Sequence, residues 1–348
     1  MNSHLNGIDI SSLPKIDLHV HLDGSLRPQT VLDLAESHGV LLPTTDKHAL
    51  LSHMQVNEDC SSLQDYLSKF HFTTRFLQTA VALERVAFEI VEKANRHHCK
   101  YIEIRFAPQL HRERGLYTEE VIHYVLAGLK RGEQQFGVRA RGIAICMRHH
   151  DHQQNMEVIH AASKYIGKGL VAVDLAGDEA SYPPELFREI FAASHRRDIP
   201  VTIHAGEAAG AANIHEAVSN LGATRIGHGV RLQEAPAIMD MMIARQIPLE
   251  MCPVSNIQTK AVSNWESYPI RDYFERGLMI TVNTDNPGVS GTSMTKEYRI
   301  LAERFGFTPS ELGKIAMNGA QAAFLEESEK AKLKRELREE FANLGISV

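Results

Sequence analysis

Four short segments, each closing an apolar run, carry residues able to do chemistry: His19-Val20-His21, His204-Ala205-Gly206-Glu207, His228 within Gly227-His228-Gly229, and Asn283-Thr284-Asp285-Asn286. Three imidazoles and a carboxylate suit a divalent, zinc-like ion that keeps one position for water and lowers that water's pKa toward ~7. Hydrolysis is the chemistry this implies. Residues i and i+2 of a strand point the same way, so His19 and His21 can aim two rings at one ion. An isolated H-x-H is more often structural, and it is His204, Glu207 and Asp285 at the ends of later strands that give the pair its meaning. Glu207, on the turn after His204, reads either as a proton carrier with a pKa raised by burial or as a cap on the next helix. His228 reads either as a group orienting the activated water or as a further nitrogen ligand, with glycines on both sides to relieve crowding.

Other histidine-rich stretches fit less well. Arg148-His149-His150-Asp151-His152 runs on into Gln153-Gln154-Asn155 and reads as an exposed loop without a ligand. His215-Glu216 begins like a zincin motif, but Ser219 stands where the second histidine is needed. His97-His98 falls at a helix end. A second metal would call for an anionic bridge such as a modified lysine at the end of the fourth strand. The segment Val171 to Glu179 contains no lysine, so one ion is expected.

These segments need a frame that brings strand ends together. Eight strand-like segments are read at Ile16–Val20, Tyr101–Phe106, Arg141–Met147, Leu170–Leu175, Pro200–Ile203, Arg225–Gly227, Pro248–Met251 and Leu278–Asn283. Amphipathic helical patterns such as Tyr117–Gln135 and Pro184–Ser194 separate most of them. Alternation of this kind builds parallel sheet, and eight strands ending in polar residues predict an α/β fold of the TIM-type (β/α)8 barrel class. The long gap between the first two strands predicts a helical insertion over roughly residues 28–98. Its helix-patterned pieces, Thr30–His38 and Ser62–Leu77, include Tyr66, Leu67 and Phe70 as an apolar wall or lid above the barrel mouth. Thr308–Phe324 and Glu326–Leu344 read as extra C-terminal helices, and the whole chain, 1–348, as one domain.

Composition narrows the partners. With 37 basic and 43 acidic residues the net charge is -6, and no dense Lys/Arg stretch suits a phosphate backbone, so nucleic acid is not an expected partner. The four cysteines are far apart in sequence and form no C-x-x-C pair. No signal-like start and no apolar run of membrane-spanning length are present. A cytoplasmic enzyme acting on a small molecule, without a membrane partner, is the expectation.

The motifs also resemble a known family in their order. His-Val-His-Leu-Asp-Gly-Ser from His19, Asp-Leu-Ala-Gly-Asp-Glu from Asp174, His-Ala-Gly-Glu from His204, Gly-His-Gly from Gly227, Ser-Asn-Ile-Gln-Thr from Ser255 and Asn-Thr-Asp from Asn283 are similar to those of the bacterial adenosine deaminases, within the amidohydrolase-like barrels. The resemblance runs nearly end to end. It implies one Zn(2+) held by His19, His21, His204 and Asp285, whose hydroxide attacks purine C6 while Glu207 protonates N1. Asp285 and His228 then manage the water's proton, the Gly177 amide binds N3, and Asp23 with His21 faces the ribose 5′-hydroxyl. Adenosine or 2′-deoxyadenosine would give inosine or 2′-deoxyinosine and ammonia, in purine salvage. Adenine and 5′- or N6-modified adenosines are the rival substrates, with an amide or ester hydrolase or a non-catalytic nucleoside binder more remote. The H-x-E and P-C-x-x-C signature of the other zinc base deaminases is absent. Many members carry a second aspartate where this chain has Asn286, whose amide can donate to N7 without a shifted pKa.

Overall fold

The computed structural model describes residues 4–5, 8–56, 60 and 63–348. Eight parallel strands among them form two four-stranded sheets: β1 (Lys15–His21), β2 (Cys99–Phe106), β3 (Arg139–Met147) and β4 (Leu170–Ala176), then β5 (Thr202–Ala205), β6 (Arg225–His228), β7 (Leu249–Met251) and β8 (Ile280–Val282). Parallel bridges Val173↔Val201 and Val20↔Asp285 join the sheets at both edges and close the ring. This is the eight-fold barrel that the sequence predicts, with a short antiparallel hairpin, His4–Leu5 against Ile8–Asp9, ahead of it.

Four helices lie between β1 and β2: α1 (Pro28–His38), α2 (Lys47–Met54), α3 (Leu63–Thr74) and α4 (Ala80–Arg96). Thr79 caps α4 by accepting from the Ala82 amide. Helix α5 (Thr118–Phe136) presents Gly128 and Gly132 to it, and a β-carbon on Gly128 would lie 2.2 Å from the Glu84 carbonyl oxygen. The close fit shows α4 occupying the ordinary place of a crossover helix. Within the expected insertion, α1 to α3 are the additional elements.

The outer ring continues with α6 (His152–Ser163), α7 (Arg188–His195), α8 (Ala211–Ser219), α9 (Pro236–Arg245), α10 (Pro253–Gln258), α11 (Ile270–Glu275) and α12 (Met294–Phe305), and ends in α13 (Pro309–Ala322) and α14 (Glu327–Asn343). Two expectations change here. Pro184–Ser194 is not one helix, because consecutive prolines start a 3-10 turn, Pro184–Phe187, before α7. The Arg148–His152 run is not simply an exposed loop: Arg148 is 1% exposed, and Asp151 caps α6 by accepting from the Gln154 amide. No helix among the described residues is long and apolar enough to cross a membrane, and the four cysteines are buried and joined by no disulfide.

The barrel interior holds ions as well as apolar side chains. Glu103, Arg105, Asp174, Arg225 and Glu250, all within the strands, are at most 1% exposed. Charges so far from water persist only when paired, and these are. Arg105 bridges Asp174 and Glu250, while Arg225 bridges Glu250 and Glu103.

Candidate active site

The seam between β1 and β8 assembles most of the site. His21 N–H donates to the Asp285 carbonyl and Asp285 N–H to the His19 carbonyl, both at 2.7 Å, so the backbone itself sets those three residues side by side. Asn283 Oδ1 accepts from the Leu18 amide at 2.8 Å, and Thr284 Oγ1 donates to Asp17 at 2.6 Å. The first two residues of Asn-Thr-Asp are thus seam fasteners that deliver the third. Asp285 and His228 both adopt left-handed backbone, at φ 57° and 62°, a strained state for residues other than glycine that clusters at functional sites. Strands β5 and β6 pair His204 with Gly227. A β-carbon on Gly227 would stand 3.2 Å from both His19 Cε1 and His204 Cα, so glycine there leaves room for the two rings.

The imidazoles converge through Nε2. His21 Nε2 lies 3.3 Å from the Nε2 of His19, from that of His204 and from Asp285 Oδ1, and His19 Nε2 lies 3.4 Å from Asp285 Oδ1. The opposite ring nitrogens fix the tautomers. His19 Nδ1 is 2.9 Å from buried Glu250, and His204 Nδ1 is 3.0 Å from buried Asp174. The Nδ1–H groups donate to those carboxylates, leaving lone pairs on the facing Nε2 atoms, a repulsive arrangement that a cation between them resolves. A tetrahedron with arms of about 2.0–2.1 Å has edges of about 3.3–3.4 Å, the value for zinc with nitrogen and oxygen ligands. The residues present fit such an ion.

His228 is different. Atoms of His19, His204, His228 and Asp285 also lie within 4.8 Å of one another, so distance alone admits His228 as a ligand in place of His21. Hydrogen bonding decides against it. Asn256 Oδ1 accepts from Tyr268 Oη and from the Cys252 amide, so its Nδ2 donates to His228 Nδ1 at 2.9 Å. A neutral ring accepting at Nδ1 carries its proton on Nε2, which lies 3.5 Å from Glu207 Oε2. His228 is built to donate.

Glu207 does not cap the following helix, which begins behind Gly210 without a side-chain cap. Its carboxyl faces His228 and Thr259 instead. Burial, reinforced by the nearby Asp285 carboxylate, raises its pKa from 4.5 to about 8. Asp23, just beyond β1, is 8% exposed, and burial raises it to about 6. Gly177, at φ 108°, follows β4, where a β-carbon would touch Met147 and Arg148. Asn286 is buried with an unpaired Oδ1 among the described residues, its side chain pressed against Gly24. From α3, Tyr66 Oη reaches Ser290 Oγ at 2.8 Å, and Tyr66 packs with Val289 and Phe70. The side chain of Leu67 lies outside the described residues.

The family model described as Adenosine deaminase matches residues 14–340. The chain belongs to the adenosine deaminase family. It is similar, at 40% identity over 94% of its length and 99% of the relative's, to the adenosine deaminase of Clostridium botulinum strain 657. Among solved structures it is similar to the adenine deaminase of Arthrobacter aurescens (TM-score 0.87, 28% identity, 94% of this chain and 98% of that one). It also matches the Arabidopsis N6-mAMP deaminase (TM-score 0.84, 26% identity, 95% and 99%). The chain is accordingly a deaminase enzyme on a barrel shared across the family.

Sequence reasoning placed Arg105 among the polar strand ends without giving it a task, and it missed Glu250, which hides in Pro-Leu-Glu-Met. A charge inside a run otherwise read as buried strand was the available signal. Asn256, Ser255 (donating to Asp285 Oδ2 at 2.6 Å) and Thr259 sat in a quoted motif without a role.

Proposed function

We propose that the protein hydrolytically deaminates adenosine and 2′-deoxyadenosine to inosine and 2′-deoxyinosine, releasing ammonia, with one zinc ion held by His19, His21, His204 and Asp285. When bound, zinc supplies the Lewis acidity that brings the pKa of a water toward ~7. Glu207, neutral in its buried position, donates its proton to purine N1 as C6 becomes tetrahedral, so the ring never carries the incoming electron pair as a free anion. His228 orients the water oxygen through its Nε2–H, and Asp285 takes the water's proton. The Gly177 amide meets N3, Asn286 donates to N7, and Asp23 with His21 faces the ribose 5′-hydroxyl. Tyr66, Leu67 and Phe70 form the apolar wall of a lid within residues 28–98 of a single domain spanning 1–348. The setting is the cytoplasm and purine salvage, and the partner a small nucleoside rather than nucleic acid or membrane.

The observation that carries this reading is the Glu207 carboxyl, 13% exposed and 3.5 Å from His228 Nε2 beside the converging imidazoles. An amide or ester hydrolase has no use for an acid aimed at a ring nitrogen. The adenine and N6-mAMP deaminases among the structural relatives keep adenine and N6-modified adenosines as the second reading, and buried Asp23 favours a nucleoside with a 5′-hydroxyl over the free base. Incubating the zinc-loaded protein with adenosine, 2′-deoxyadenosine, adenine, 5′-substituted adenosines and N6-methyladenosine, with ammonia as readout, tests this. Preference for the unmodified nucleosides is expected; ammonia from adenine alone, or from none of them, overturns it.

A further inference from the structure

Glu179 lies on the loop after β4 and is 2% exposed. Its carboxylate collects five donors. Oε1 accepts from the Gly206 amide at 2.7 Å and from Asn213 Nδ2 at 3.1 Å, and Oε2 accepts from the amides of Glu207, Ala208 and Ala209 at 3.0, 2.8 and 3.0 Å. Four consecutive backbone amides around one carboxylate make an anion nest. Gly206, at φ 67°, supplies the left-handed residue that curls them inward. Glu179 is the acceptor for all four of these amides, so without it they would be left unpaired beside the site. Arg148 holds the other end of the same segment: its Nη2 donates to the His204 carbonyl at 2.8 Å and its Nη1 to the Tyr182 carbonyl at 2.5 Å.

We propose that Glu179 is a positioning residue for the reaction, fixing the backbone at 206–209 so that the Glu207 carboxyl stands where the base nitrogen will arrive. The inference rests on the role given to Glu207 above. A carboxylate suits this task because both its oxygens accept, whereas an amide of the same size must turn an NH2 toward either one amide and Asn213 or three amides. Parallel N–H dipoles facing an NH2 group push apart, and the turn relaxes. Displacement of a reacting group by about 1 Å costs roughly 100-fold in rate.

The test is a double-mutant cycle on zinc-loaded protein. Glu179→Gln is expected to lower kcat for adenosine roughly 100-fold with KM little changed and one metal per chain retained. In the Glu207→Gln background, assayed at high protein concentration over long incubations, the same substitution is expected to add almost nothing, because the group it positions is already gone. Loss of metal from Glu179→Gln, or a full additional loss of rate in the Glu207→Gln background, overturns the proposal, since either places the effect at His204 or in the fold at large. If Glu179→Gln does not fold, Asn213→Ala removes one of the five donors; a smaller fall in kcat that vanishes with Glu207→Gln supports positioning, and an unchanged or additive effect refutes it. Full activity in Glu207→Gln alone would sink the functional reading instead, which separates the two failures.

Discussion

Replacing Glu207 by Gln should make the metal-free protein more stable, by an amount that grows with pH. Burial and the Asp285 carboxylate raise Glu207 from 4.5 to about 8 in the folded chain, so folding disfavours its ionised form. The penalty is absent below the unfolded value of about 4.5, rises by about 1.4 kcal/mol per pH unit between the two values, and levels off above the folded one. Gln has the size of the protonated acid and cannot ionise. The variant should therefore gain under about 1 kcal/mol at pH 5, about 3 kcal/mol at pH 7 and nearly 5 kcal/mol at pH 9. Urea unfolding of chelator-treated wild type and variant at the three pH values reads it directly. A difference that stays flat between pH 5 and 9 would refute the raised acid and, with it, the reason Glu207 is neutral when a base nitrogen needs its proton. The same substitution should abolish most deamination, a trade of activity for stability at one side chain.

Glu250→Gln leaves two of the four donors to that carboxylate (Arg105, Arg225, His19 and Thr202) without an acceptor. It should weaken zinc binding about 10- to 100-fold and destabilise the fold by roughly 3–5 kcal/mol, measured by chelator competition and denaturant titration; unchanged affinity would remove Glu250 from the ion's support. Asn286→Asp should keep measurable deamination but lose it as pH rises, because a carboxyl donates to N7 only while protonated; a pH profile matching wild type would discard that account. Gly227→Ala sets a methyl 3.2 Å from the His19 ring and the His204 backbone. It should lower bound zinc per chain, and metal analysis at wild-type stoichiometry would show that the rings can give way.

The barrel was legible because its strands are short, β-branched and separated by helical periods, and all eight segments named from the sequence are strands. Boundaries moved by a few residues, as at Thr202 in place of Pro200, since proline brings no N–H to the ladder. The helices between the first two strands were less readable. α2 passed unnoticed because its eight residues carry only two buried side chains, Leu50 and Met54. The proposed metal donors stood out because His204, Glu207 and Asp285 at later strand ends gave the His19/His21 pair its meaning, whereas their supports did not. Glu179, Glu250 and Asn256 act across 27 to 231 positions of sequence, and no local pattern encodes a partner so remote. The neutral Nε2–H tautomer of His228 is set through two hydrogen-bonding steps that only three dimensions display.

Closure of the ring has a temporal corollary. Asp17 and Thr284, which clasp the first strand to the last, are 267 positions apart, and three of the proposed donors straddle that junction. During synthesis the proposed cation has no home until the chain has emerged past Asp285 and the first and last strands have met. Once seated, it acts as a buckle, so a chelator should unfasten this junction before any other part of the wheel.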